Sequence, residues 1–67
     1  MKLTLKAARV NAGLNQSQAA ERLGISKDMV SNFERGLTYP KVPIIKKMEE
    51  LYGVGFNDLI FLPRDNG

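Results

Sequence analysis

The sequence predicts an all-α fold of five short helices. Three observations carry that prediction. Apolar residues recur at intervals of three and four, not two, along the 67 residues. Capping residues stand just before these runs and glycines just after them. The length allows one domain, and a chain this short buries only about 60% of its unfolded surface, so the helices must share one efficient core.

The first helix is expected from about Leu5 to Ala12, capped by Thr4 and ended by Gly13, with Leu5, Ala8 and Ala12 on one face. The second runs from Gln16 to Leu23. Asn15 is its N-cap, and Gln18 three residues on completes a capping box; Ala19, Ala20 and Leu23 face inward. Gly24 and Ile25 make the turn. The third runs from Lys27 to Arg35, capped by Ser26 and stopped by Gly36, with Met29 or Val30 and Phe33 inward. Leu37 to Lys41 is a loop containing Pro40. The fourth runs from about Val42 to Tyr52, where Pro43 is tolerated because the first turn has spare N–H groups. Ile44 or Ile45, Met48, Leu51 and Tyr52 form its stripe. A fifth, short helix is expected from Phe56 to Phe61, with Leu59 and Ile60 packing back. No strand is expected. Residues 1–62 form the domain and residues 63–67 a polar tail.

Composition excludes several classes of function. With no Cys and no His, disulfides, thiolate nucleophiles, thiolate or imidazole metal sites and the usual neutral-pH base are all missing. Glu49 and Glu50 are adjacent and point to different helix faces, so they are no acid–base pair. No glycine-rich phosphate loop is present. The chain therefore reads as no enzyme, with no cofactor, no metal and no small-molecule ligand evident. No apolar run approaches the roughly 18 residues of a membrane span, and no signal segment opens the chain, so a cytoplasmic protein is expected. The net charge is +3, and its distribution is uneven. Up to Gly36, Lys2, Lys6, Arg9, Arg22, Lys27 and Arg35 oppose only Glu21, Asp28 and Glu34; from Leu37 onward the charges balance. A basic first half suits a polyanionic partner.

The segment Gln16–Asn32, QSQAAERLGISKDMVSN, carries the functional signal. Ala20 stands where two helices cross steeply, and a larger side chain would part them. Gly24, four residues on, supplies the positive φ of the turn. Ile25 plugs the turn into the core, and Val30 anchors the second helix. A small residue, then glycine, then a branched apolar residue at this spacing is the helix-turn-helix signature.

With these residues in register, the sequence resembles the phage-repressor/Cro-type, or XRE, helix-turn-helix family. The matching elements are Arg9, Gly13-Leu14-Asn15-Gln16, Ala20, Gly24-Ile25-Ser26, Val30-Ser31, Phe33-Glu34-Arg35-Gly36, Pro40, and Gly53-Val54 followed by Asp58-Leu59. They span nearly the whole chain. The resemblance implies a five-helix, lambda-repressor-like bundle with the third helix as recognition helix, and an Arg9–Glu34 ion pair that holds the scaffold. The chain departs from the family at Ala8, at Pro43, and at Gly55, where a capping side chain is usual.

In this geometry the recognition helix meets base edges in the major groove. Lys27, Asp28, Ser31 and Asn32 lie on its outward face and are the candidate base contacts. Lys27 can donate to guanine or to a phosphate, Asn32 can pair with adenine, and Asp28 can accept from cytosine or simply favour the helix start. Candidate phosphate contacts are Asn15 and Gln16 at the start of the second helix, and Arg35, Thr38 and Lys41 around the following loop. Tyr39 lies there too, along the backbone or beside Pro40. The expected function is sequence-specific binding of double-stranded DNA as a transcriptional regulator, a repressor by family habit. A homodimer on a near-palindromic operator is expected, with Phe56, Ile60, Phe61 and Leu62 as its candidate contact. The rival reading is a protein-interaction module, antitoxin-like or anti-repressor-like, which exposure of Met29 would favour. The Met1 start and the fade after Leu62 favour a complete small regulator over the N-terminal domain of a longer repressor.

Overall fold

The computed structural model describes residues 2–61. Four helices are wrapped around one core and closed by a two-stranded ribbon. Strand β1 is Leu3–Thr4, and helix α1, Leu5–Asn11, follows without a break. Helices α2 (Gln16–Leu23), α3 (Lys27–Glu34) and α4 (Val42–Tyr52) come next, then a 3-10 turn at Phe56–Asp58 and strand β2, Leu59–Ile60.

Helix starts are fixed locally. Thr4 Oγ1 accepts from the Ala7 N–H at 3.1 Å and Ser26 Oγ from Met29 N–H at 3.1 Å. Asn15 and Gln18 make a reciprocal capping box: Asn15 Oδ1 accepts from the Gln18 N–H at 2.8 Å, and Gln18 Oε1 accepts from the Asn15 N–H at 2.9 Å. Pro43 falls in the first turn of α4, where no helical donor is lost.

The core is one cluster: Leu5 and Ala8 from α1, Ala19, Ala20 and Leu23 from α2, Val30 and Phe33 from α3, Met48 and Tyr52 from α4, and Leu59. α2 packs most heavily on α3. Two ambiguities in the helical stripes are resolved by packing: Val30 is buried and Met29 is not, and Ile45 is buried deeper than Ile44.

The expectation of a fifth helix and no strand is corrected. Only Phe56–Asp58 coil, as a single 3-10 turn; Leu59 is extended, and β2 pairs in parallel with β1, Leu3 opposite Leu59 and Thr4 opposite Ile60. Gly55 supplies no capping side chain; the Phe56 N–H instead donates to Glu49 Oε2 at 2.8 Å. The backbone of β1 meanwhile offers the partners that Leu59 and Ile60 need, and both residues suit a strand. Leu59 still packs into the core, and Ile60 points outward. Leu62 and the expected tail at residues 63–67 lie outside the described residues. Among the described residues no helix is long and apolar enough to cross a membrane.

Candidate nucleic-acid interface

The scaffold of the site is a buried hydrogen-bonded clasp. Arg9 on α1 donates from Nε to Glu34 Oε2 at 2.6 Å and from Nη2 to Glu34 Oε1 at 3.2 Å, a two-pronged ion pair between α1 and the end of α3. Its third prong, Nη1, donates to the Leu14 carbonyl at 2.9 Å, pinning the loop between α1 and α2. Gln16 Nε2 completes the set by donating to Glu34 Oε1 at 3.1 Å. The hydrogen bond to Glu34 holds the Arg9 guanidinium above its usual pKa, against the opposing effect of burial. Tyr52 lies nearby; burial pushes its hydroxyl up to about 12, with the Glu34 charge adding to the shift, so it stays protonated at neutral pH.

This clasp sets α2 and α3 side by side with their starts on one surface. The turn between them depends on Gly24, which has φ of 75° and whose N–H donates back to the Ala20 and Glu21 carbonyls. Ile25 N–H donates to the Ala20 carbonyl at 3.0 Å. Ala20 is buried at the crossing.

Six of the nine candidate residues line one of two depressions. One, of about 400 Å³, lies among Arg9, Asn15, Gln16, Ser17 and Lys27. It joins the start of α2 to the start of α3 and is walled by donors. The other, of about 410 Å³, lies between Met29, Asn32 and Phe33 on one side and Thr38, Tyr39 and Lys41 on the other. Asp28, Ser31 and Arg35 line neither. Lys27, Asp28, Arg35, Thr38 and Lys41 are exposed, whereas Ser31 and Asn32 are half-buried. Among the described residues none holds the side chain of Lys27, Asn32 or Lys41 in a hydrogen bond. Asn32 instead steadies the loop with its carbonyl, which accepts from the Leu37 N–H at 2.9 Å.

Three features were not read from the sequence. Ser17 joins the polar depression; its place in the first turn of α2 was the available signal. Gln16 is tied to the ion pair, a contact 18 residues distant in sequence that no local pattern announces. Tyr39 meets Phe61 in a tilted ring contact rather than lying only beside Pro40, with ring centres 4.9 Å apart and planes 44° apart, and Phe61 in turn meets Phe56 at 5.6 Å. Met29 is 41% exposed. Among the described residues no group of three or more carboxylates comes together to hold a metal ion.

The family model described as helix-turn-helix matches residues 5–59, which takes in the clasp, the Ala20–Gly24 turn and α3. The chain belongs to the XRE-type helix-turn-helix family. It is similar to the HTH-type transcriptional regulator ImmR of Bacillus subtilis (strain 168), at 39% identity over 56 residues, 84% of this chain and 44% of the relative. It is also similar to the cryptic phage CTXphi transcriptional repressor RstR of Vibrio cholerae, at 33% identity over 52 residues, 78% of this chain and 47% of the relative. This helix-turn-helix chain thus spans under half the length of these two curated relatives.

Proposed function

We propose that the chain is a sequence-specific double-stranded DNA-binding regulator, a repressor in sign, working in the cytoplasm with α3 in the major groove. The observation that carries this reading is the helix-turn-helix unit itself, with unpaired Lys27 and Asn32 side chains on α3 flanked by donors at the start of α2 and in the loop after α3. The repressor sign rests on the name of the Vibrio relative. Lys27, Asp28, Ser31 and Asn32 face the bases. Asn15, Gln16, Arg35, Thr38 and Lys41 hold phosphates. The Gln16 amide has two N–H groups; Glu34 engages one, which leaves the other to donate to a phosphate oxygen from a side chain already held in place.

Selection from random duplex DNA, followed by salt titration of the winner, tests this reading. Asn32→Ala should relax preference at one operator position at a cost of about 1–3 kcal/mol. Lys41→Ala should weaken selected and random duplexes alike and lower the salt slope by about 1. Gln16→Ala should weaken both without changing the slope, because the amide is neutral. Lys27→Ala should show one effect or the other, since its ammonium reaches a base or a phosphate. If all four variants bind as the parent does, α3 is not the reader and the protein-interaction alternative, for which Met29 is the exposed apolar residue of α3, takes its place.

The regulator acts as a homodimer on DNA. Phe56 and Ile60 are exposed beside the Phe61 ring, an apolar surface made by the 3-10 turn and β2. Two copies joined there would read half-sites about one helical turn apart, roughly 34–36 Å. Sedimentation with the selected duplex should give two proteins per duplex, and Phe56→Glu should reduce that to one. A parent that binds one per duplex on an asymmetric site refutes the dimer.

A further inference from the structure

The depression between α3 and the following loop is unlike the one at the helix starts. Its walls bear Asn32, Thr38 and Lys41 at the rim, but Met29, Phe33, Tyr39 and Ile44 supply apolar groups. Met29 and Tyr39 remain 41% and 61% exposed. In the DNA reading above, on which this inference rests, Asn32 faces a base and Thr38 and Lys41 hold the backbone of a strand. Whatever enters the depression must therefore belong to the duplex between a base edge and its own backbone. Lys41, the one charged residue among its walls, favours a polyanion there over an apolar peptide. The major-groove edges of the four bases present donors and acceptors with one apolar exception, the C5-methyl of thymine.

We propose that Met29, facing the Tyr39 ring across the depression, is a specificity-determining residue that receives a thymine C5-methyl beside the base read by Asn32. The unbranched thioether follows an irregular apolar surface without needing a hydrogen bond. The contact rejects cytosine, which lacks the methyl, and places thymine selectivity on a residue outside the polar set of α3.

The test uses the duplex recovered by selection with the parent chain, with each thymine replaced in turn by deoxyuridine. This removes the methyl and leaves the pairing unchanged. At one thymine per half-site the parent should lose about fourfold in affinity, the worth of one methyl withdrawn from water. Met29→Ala should bind the unmodified duplex weaker by a similar factor and be indifferent to deoxyuridine at that thymine alone. Met29→Leu, which keeps the apolar end, should retain the sensitivity. Because Met29 is exposed, all three proteins should melt alike, which separates this effect from a folding defect. Equal deoxyuridine sensitivity of the parent and Met29→Ala at every thymine overturns the proposal while leaving the DNA reading intact, as does a selected duplex without thymine in its half-sites. Met29→Ala binding every duplex as the parent does also overturns it. Failure of the parent to select any sequence removes the DNA reading and this inference together.

Discussion

Glu34→Ala should remove roughly a third or more of the chain's stability. The carboxylate accepts from two Arg9 nitrogens and from Gln16, and both members of the ion pair are buried. Removing one partner strands the other charge away from water, which costs about 3–5 kcal/mol. A domain of this size has about 3–10 kcal/mol in all, taking the usual stability per residue. Arg9→Ala should be similarly severe and should also orphan the Leu14 carbonyl. The double variant Arg9→Met with Glu34→Leu should lose less than the sum of the two single changes, because no charge is left buried. Urea denaturation followed by circular dichroism measures all four proteins. Single variants within about 1 kcal/mol of the parent would show that the clasp is incidental to folding.

Ala20→Leu and Gly24→Val should each abolish DNA binding, by different routes. Ala20 is 4% exposed at the crossing of α2 and α3, and its neighbour Ala19 is fully buried. Three added carbons have no space to enter, so the crossing must widen; overpacking of this kind costs about 1–3 kcal/mol and carries α3 with it. At Gly24 space is not the obstacle, since an added Cβ would meet nothing nearer than Lys47 Nζ at 3.9 Å. The obstacle is φ of 75°, which costs an L-residue about 1–2 kcal/mol, and more for a β-branched one. Gly24→Asn should therefore be tolerated far better than Gly24→Val, whereas no polar substitute rescues Ala20. Thermal melts give the ranking, with each kcal/mol lowering Tm by about 4–8 °C in a domain of this length. Unchanged melting with full binding in both variants would refute the helix-turn-helix geometry.

Chemistry that acts over three or four residues could be read from the order of residues alone. The caps at Thr4, Asn15 and Ser26, the stripes that place α2, α3 and α4, and the Ala20–Gly24–Val30 spacing are all local, because a side chain one helical turn away decides each of them. The candidate interface was legible for the same reason: Lys27, Asp28, Ser31 and Asn32 are polar positions on a helix whose other face is apolar. The tertiary structure decided what depends on partners far along the chain. Phe56–Phe61 has the composition of either a helix turn or a strand, and the free backbone of Leu3 and Thr4, more than fifty residues earlier, tipped it to the strand. Met29 and Val30 are neighbours of equal apolarity in sequence, and only the packing of α3 on α2 buried the second and left the first facing outward. Gln16 suits a phosphate contact by its place at a helix start, but its tether to Glu34 exists because Arg9 draws the end of α3 against the start of α2. Local hydrogen bonds and periodicity therefore determined where the helices lie along the chain. Long-range packing and pairing determined how the chain's two ends meet and which side chains remain free to touch a partner.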